Sequence, residues 1–222
     1  MANIQECLEE MKTIYWQDPV AAVRSQSFIQ TLHKYIEEDL NDRISPKARR
    51  NGVKVVREAR LFGSYKAKDV DVAVIHPVNG PLITVGVRSQ MSSVAKNALT
   101  YYQDIIGESI SLQERFPMTT MGYVYLHPYK EPIADKKIPD HKRWAQLYAN
   151  IGKRDDRLYK NQIGSYDQFA YMIVDFDDPQ LEIRDDIIKN AIPDVDLQIS
   201  TLTNRLIDTF TSRNIWLEDL FI

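Results

Sequence analysis

The residues of this chain whose types and spacing suit phosphate chemistry lie in one stretch, from Asp69 to Gln90. Metal-assisted phosphodiester hydrolysis needs two or more carboxylates that converge on a cation such as Mg²⁺, and a positive side chain near the phosphate. Asp71 supplies one carboxylate and Arg88 supplies the positive charge. Residue 86 lies on the same face of a strand as residue 88, and it is a glycine. The stretch therefore offers part of a metal site, with one carboxylate absent at Gly86.

The same stretch has the pattern of a β-hairpin. Val70 to Ile75 and Leu82 to Val87 are rich in β-branched residues, which predicts two strands. Asn79-Gly80 between them is typical of a tight turn that joins antiparallel strands. The hairpin therefore places the acidic start of the first strand beside the basic end of the second.

Further elements are predicted on both sides of this hairpin. Asp18-Pro19 is a helix start signal, and an apolar stripe at helical spacing follows it to about Asn41. A long apolar helix is predicted from about Ser92 to Phe116, and the next strand, 121–126, then implies a parallel crossover. The remaining predictions are helices at 4–15, 140–150 and 197–210 and strands at 53–61 and 169–176.

This order of elements predicts one α/β domain over residues 1–222, with a mixed central β-sheet flanked by helices. We expect its core at about 20–130, with helical and strand additions at 131–222. No apolar run approaches the ~20 residues of a membrane span, and the acidic N-terminus is unlike a signal peptide. The single cysteine, Cys7, makes no internal disulfide, and we expect a cytoplasmic protein with no membrane partner.

The net charge of −3 conceals a segregation of charge along the chain. Residues 1–44 carry a balance of −4, residues 45–160 a balance of +9, and residues 161–222 a balance of −8. A basic middle segment is expected if this part of the chain faces a polyanion such as nucleic acid, although solvated surface charge gives the same pattern.

The end of the hairpin resembles a known nuclease motif. The chain reads Gly86-Val87-Arg88-Ser89-Gln90, followed by Ser92-Ser93 and Lys96-Asn97. This resembles the PD-(D/E)XK nuclease superfamily, in its type II restriction endonuclease-like branch, where Glu-x-Lys-Ser-Gln precedes a serine-rich start to a long helix. The helix carrying Glu37-Glu38 and the strand at 121–126 also sit where that fold places its first helix and third core strand, so the resemblance covers roughly residues 20–130.

The resemblance implies a restriction endonuclease-like fold and a Mg²⁺-dependent DNA endonuclease, with Mn²⁺ as an alternative cofactor. It implies double-stranded DNA as the partner and a homodimer, because cutting both strands requires two active centres. Carried onto this chain, it assigns catalytic roles to Asp71, Arg88 and Gln90, with Asp71 as a metal ligand.

Two departures stand against a simple transfer of these roles. Gly86 removes the second carboxylate, and Arg88 replaces a lysine with a cation that stays protonated and cannot easily act as a base. One hypothesis is that another side chain supplies the acid. The candidates are Asp69, Glu58, Glu38, Glu37 and Glu108, with Gln90 or Asn97 as additional polar ligands.

The second hypothesis is that catalysis is lost and the fold serves DNA binding or assembly. A third, minor alternative is a nucleotidyltransferase, which pairs a Gly-Ser turn such as Gly63-Ser64 with an Asp-x-Asp pair such as that at Asp69 and Asp71. The spacer of four residues here is short for that fold. The four histidines have no zinc-type spacing, and we give them no ligand role.

Basic and polar side chains suited to phosphate contact occur in several places. The residues that we expect to contact DNA are Arg49, Arg50, Lys66, Lys68, Lys96 and Asn97, and weaker candidates are Lys47, Lys136, Lys137, Lys142, Arg143, Lys153, Arg154 and Arg157.

Overall fold

Five strands form one mixed sheet in the computed structural model, which describes residues 2–18, 21–22, 26–131, 137–152, 154, 164–217 and 219–222. Their spatial order follows the chain: β1 (Lys54–Phe62), β2 (Ala67–His76), β3 (Gly80–Ser89), β4 (Thr120–Pro128) and β5 (Gln168–Val174). Strands β1, β2 and β3 pair antiparallel, whereas β4 pairs parallel with both β3 and β5. The predicted mixed sheet, the β2–β3 hairpin and the parallel crossover are therefore confirmed.

Seven helices among the described residues flank the sheet, and they are α1 (Ile4–Gln17), α2 (Gln26–Arg43), α3 (Pro46–Arg50), α4 (Val94–Arg115), α5 (His141–Ile151), α6 (Asp185–Ala191) and α7 (Ile199–Arg213). The predicted start of α2 at Pro19 and the basic residues Lys136, Lys153 and Arg157 lie outside the described residues. The short helix α6 was not predicted, since two turns give too little periodicity to detect. No helix of the described part of the chain is long and apolar enough to cross a membrane.

The alternation of side chains along the strands divides the core into two clusters, one on each face of the sheet. On β4, Val124 and Leu126 pack with α1, α2 and α7, whereas Tyr123 and Tyr125 pack with α4 and α5. β4 and β5 are covered on both faces, which explains their continuous apolar sequences.

Local signals fix the ends of the elements that carry the site. Gly80 has a φ of +75°, the left-handed conformation that the turn between β2 and β3 requires. The first turn of α4 is capped from a distance, because the Glu131 carboxylate accepts hydrogen bonds from the backbone N–H groups of Ser93 and Val94, at 2.9 and 3.0 Å. These N–H groups are therefore satisfied within the protein.

A buried ion triad joins the start of β5 to α7. Asp167 is fully buried; its carboxylate lies 3.3 Å from the guanidinium of Arg154 and also contacts that of Arg213. Breaking a buried ion pair by removing one charge typically costs about 3–5 kcal/mol.

Asp167→Asn should therefore lower the free energy of unfolding by about 3 kcal/mol or more, because two buried guanidinium groups then face a neutral amide. Urea unfolding followed by circular dichroism measures this change. The control is Asp208→Asn on the exposed face of α7, where about 0.5 kcal/mol or less is expected. Equal effects of the two substitutions would contradict the structural role of the triad.

Candidate metal centre

Asp71 lies where β2 and β3 separate. The ladder between these strands ends at the pair Val72 and Val85. Beyond this pair, Oδ2 of Asp71 accepts a hydrogen bond of 2.6 Å from the backbone N–H of Val87. The side chain of Asp71 therefore replaces a backbone acceptor at the point where the two strands diverge, and its second oxygen, Oδ1, faces away from this bond.

Two further side chains converge on Asp71, one from helix α2 and one from the edge strand β1. Nδ1 of His33 lies 3.2 Å from Oε1 of Glu58, and Nε2 of His33 lies 4.0 Å from Oδ1 of Asp71. One ligand atom from each of the three residues lies within 4.8 Å of the other two. Among the described residues, this is the group of histidine, cysteine and acidic side chains that is close enough to hold a metal ion. We call His33, Glu58 and Asp71 the metal-site cluster.

The backbone at Glu58 is unusual for a strand. Its φ of +50° is in the left-handed region, which costs a non-glycine residue roughly 1 kcal/mol or more. Residues on either side of it pair regularly with β2, as Arg57 with Val72 and Ala59 with Val70. Val72 nonetheless packs in the hydrophobic core on the α2 side of the sheet, whereas Val70 packs on the α4 side. The side chains of the two strands therefore switch from one face of the sheet to the other at this point. This change lets Glu58 reach α2.

Burial sets the protonation states of the cluster. It raises the pKa of the Asp71 carboxyl from 3.8 to about 6; the Val87 N–H opposes the rise and the charge of Glu58 adds to it. Burial also lowers the pKa of His33, against the raising influence of Glu58. At neutral pH Asp71 is therefore ionised and His33 is neutral, the forms in which both side chains bind metals.

Two cations lie close enough to Asp71 to oppose the rise in its pKa, Lys68 and Arg88. Lys68 forms a salt bridge of 2.7 Å with Glu108 of α4, so Glu108 is engaged beside the cluster rather than as a member of it. The Arg88 guanidinium lies over the ring of Tyr101, at 4.6 Å, and 3.9 Å from Asp104. Both cations are thus held by the long helix α4.

The volume beside Gly86 is filled by an aromatic ring. A Cβ atom at this position would lie 2.5 Å from Cε2 of Tyr123, closer than real contacts allow. Tyr123 cannot easily give way, because it is buried and stacks against Phe169 at 5.6 Å between ring centroids. A carboxylate at residue 86 is therefore excluded by packing, and the second carboxylate of the metal-site cluster is that of Glu58.

The other predicted acidic ligands lie apart from the cluster. Asp69 is exposed and lies 3.6 Å from Arg60, and Glu37 forms a 2.8 Å salt bridge with Arg57. Glu38 lines a different surface cavity, with Glu6 and Glu10 of α1. These residues are not brought to Asp71.

Gln90, which the resemblance assigned to catalysis, is buried and its amide is fully engaged. Its Nε2 donates to the carbonyls of Ser93 and Val94, at 3.0 and 3.3 Å, and its Oε1 accepts from the hydroxyl of Tyr125 at 3.0 Å. The role that this geometry supports for Gln90 is to hold the start of α4.

The residues expected to contact DNA lie in three places. Lys66 is in the β1–β2 turn, which packs against the later turns of α4, since the N–H of Ser64 donates to the carbonyl of Ser111 at 2.9 Å. We call this turn, with the ends of β1 and β2 beside it, the β1–β2 end; Lys68 is on a strand that leads to it. Lys96 and Asn97 are at the start of α4, after the carboxyl end of β3 and roughly 22 Å along the helix from Ser111, at about 1.5 Å per residue. Arg49 and Arg50 lie at the opposite end of the β1–β2 pair.

Helix α3, which carries those two arginines, packs beside the β2–β3 turn, since a Cβ at Gly52 would contact Pro77 at 3.3 Å. The side chain of Arg49 also donates to the carbonyl of Ile44, at 3.1 Å. The structure therefore does not bring Arg49 and Arg50 together with the other residues expected to contact DNA.

His33 is the cluster member that the sequence did not indicate. His33 follows Leu32, which belongs to the buried stripe of α2, so the sequence pattern indicates only a residue at the edge of an apolar helix face. Its partners lie 25 and 38 positions further along the chain. No local sequence pattern links positions so far apart. They come together only in the folded chain, through the register of the sheet.

Comparison of the chain with protein-family models, with curated proteins and with solved structures finds no match. What the site does must therefore follow from its own geometry.

Neutralising Asp71 should stabilise the metal-free protein at alkaline pH. The raised pKa means that the folded state binds this proton more tightly than the unfolded state, so the contribution of Asp71 to stability is most favourable below about pH 4 and becomes less favourable as the pH rises to about 6. Asp71→Asn keeps an acceptor for the Val87 N–H but has no charge to desolvate. In EDTA at pH 8, its free energy of unfolding measured with urea should exceed that of wild type by about 2 kcal/mol. At pH 4 the two proteins should differ little.

Asp69→Asn is the matched control, because Asp69 lies on the same strand but is half exposed. It should change little at either pH. A lower stability of Asp71→Asn than of wild type at pH 8 would contradict the conclusion that partial burial makes the charge of Asp71 unfavourable.

Proposed function

We propose that this protein is a divalent-metal-dependent DNA endonuclease with a restriction endonuclease-like fold, in which Asp71 is the central metal ligand. The observation that carries the proposal is the metal-site cluster: a partly buried carboxylate, a buried imidazole and an exposed carboxylate converge where two strands separate, with Lys68 and Arg88 beside them. Convergent groups with shifted pKa values are typical of functional sites.

The order of elements supports the same proposal. A helix, the β2–β3 hairpin, the long helix α4 and the parallel strand β4 follow one another as the resemblance to PD-(D/E)XK nucleases implies. Asp71 and Arg88 are on neighbouring strands of this hairpin, as a metal ligand and a phosphate-contacting cation would be.

The side chains divide the tasks of phosphodiester hydrolysis among them. A bound Mg²⁺ or Mn²⁺ would polarise a phosphoryl oxygen and lower the pKa of a bound water. Asp71 would hold that ion, and the Val87 N–H fixes the carboxylate by donating to Oδ2. The guanidinium of Arg88, which lies over Tyr101 and 3.9 Å from Asp104, would place a positive charge beside the ion and the phosphate.

The DNA would be bound at the β1–β2 end. Phe62, at the end of β1, and Tyr65 of the turn are 67% and 71% exposed, and Lys66 lies beside them. The turn is about 13 Å from Glu58, given the rise of about 3.3 Å per strand residue. Exposed rings next to a lysine suit contact with bases and phosphates together. A homodimer bound to double-stranded DNA would provide the two active centres that duplex cleavage requires.

Two observations favour an alternative, a catalytically inactive DNA-binding or assembly module of the same fold. Tyr123 fills the volume of the carboxylate missing at Gly86, and Gln90 is committed to helix α4. If the metal-site cluster does not replace the missing carboxylate, the chain binds DNA without cutting it.

Cleavage of supercoiled plasmid in Mg²⁺ or Mn²⁺ distinguishes the two functions. Wild type should nick the plasmid, and Asp71→Asn should reduce the rate at least about 100-fold, as expected for loss of a principal metal ligand. Asp69→Asn is the control and should retain activity. Salt-sensitive DNA binding with no cleavage by wild type would support the inactive module, and equal cleavage by Asp71→Asn would remove Asp71 from the site.

Binding of a short duplex should depend on the β1–β2 end. Lys66→Ala should weaken binding and reduce the salt dependence of the binding constant by about one ion, because one phosphate contact is lost. Phe62→Ala should weaken binding without that change in salt dependence. Arg50→Ala, an equally exposed cation at the opposite end, should leave binding unchanged in a fluorescence anisotropy titration. Weaker binding by Arg50→Ala alone would place the DNA at the other end of the sheet.

A further inference from the structure

Two basic atoms face each other across a gap inside the metal-site cluster. Nε2 of His33 lies 4.0 Å from Oδ1 of Asp71, which is too long for a hydrogen bond. The His33 side chain is 4% exposed, and its Nε2 has no hydrogen-bond partner among the described residues. A buried polar atom left without a partner costs about 1–3 kcal/mol, so a ligand that bridges the gap would be favoured.

The partner of the other ring nitrogen decides what can fill the gap. The carboxylate of Glu58 accepts hydrogen bonds, so the Nδ1 atom of His33 that contacts it carries the ring proton. Nε2 of the neutral ring then presents a lone pair toward Asp71. Metal-binding histidines commonly donate their other N–H group to a carboxylate in this way, which orients the ring and raises its basicity.

The size of the gap suits a metal ion. Metal bonds to imidazole nitrogen and to carboxylate oxygen are each about 2.0–2.2 Å long. One ion can therefore contact both atoms across 4.0 Å. The exposed side of the cluster, where Glu58 is 47% accessible, leaves the ion's other positions open to water or a phosphate group.

We propose that this site selects a first-row transition-metal ion, represented by Mn²⁺, over Mg²⁺, with His33 Nε2 and Asp71 Oδ1 as ligands and Glu58 as the positioning residue for His33. Imidazole nitrogen favours transition metals, whereas Mg²⁺ prefers oxygen ligands alone. This inference deepens the proposed function because it identifies the ion of the same site. Binding of the ion does not itself require that DNA be cut.

Electron paramagnetic resonance on the intact wild-type chain tests the inference. In a titration, Mn²⁺ should bind at least about 10-fold more tightly than Mg²⁺ measured by competition, following the ligand preferences above. Pulsed measurements on the bound Mn²⁺ should show coupling to a directly ligated nitrogen nucleus. Absence of that coupling, or equal affinities for the two ions, would overturn the proposal without the need for any variant.

Substitutions then assign the roles. His33→Gln should weaken Mn²⁺ binding at least about 10-fold and change Mg²⁺ binding little, since an amide oxygen replaces the nitrogen ligand. Glu58→Gln should weaken Mn²⁺ binding about 10-fold while the nitrogen coupling persists, as expected of a residue that only orients the ring. Asp71→Asn should lose both ions and Asp69→Asn neither. Unchanged Mn²⁺ binding by a folded His33→Gln would overturn the assignment.

The outcome is separable from that of the proposed nuclease. Nitrogen-coupled Mn²⁺ on a protein that does not cleave plasmid supports the metal site and rejects the nuclease. Cleavage with Mg²⁺ by a protein whose bound Mn²⁺ shows no nitrogen coupling overturns the metal inference and leaves the nuclease.

Discussion

The candidate site depends on the hydrogen bond between the Asp71 carboxylate and the Val87 N–H. β2 and β3 pair as far as Val72 and Val85, after which β2 remains paired to β1 and β3 to β4. A carboxylate in this opening satisfies a backbone donor that would otherwise lack an acceptor, and it is partly removed from water as a result. The same constraint that joins the strands therefore produces a carboxylate with a raised pKa.

Packing on the α4 face determines from which side this carboxylate is approached. Tyr123 occupies the volume beside Gly86, in a stack of aromatic rings that spans β4 and β5. That face is therefore closed to an acidic side chain at residue 86. On the other face, α2 lies against β1 and β2, and His33 and Glu58 reach the opening from there. The second carboxylate of the cluster is therefore on the edge strand β1, and residue 86 of the second hairpin strand contributes none.

The cluster is held at a cost to local stability. Glu58 has a left-handed backbone, Asp71 keeps a charge that burial disfavours, and Nε2 of His33 lacks a hydrogen-bond partner among the described residues. Each feature is unfavourable by on the order of 1 kcal/mol or more. Such features persist where the surrounding structure fixes them, and here the sheet and α2 do so. Their coincidence at one point distinguishes this cluster from exposed acidic groups such as Asp69 and Glu38.

The sequence by itself determined the elements and their order. Local signals, such as the Asn-Gly turn and the apolar periodicity of the long helix, act over a few residues, so strands at 53–61, 70–75 and 82–87 and the helix from about 92 agree with the structure to within three residues at their ends. It also indicated Asp71, and Glu58 as one of several candidate acids. Only the tertiary structure decided among these acids and brought in His33. The register of β1 on β2 and the packing of α2 join residues 25 and 38 positions apart, and no pattern along the chain records that distance.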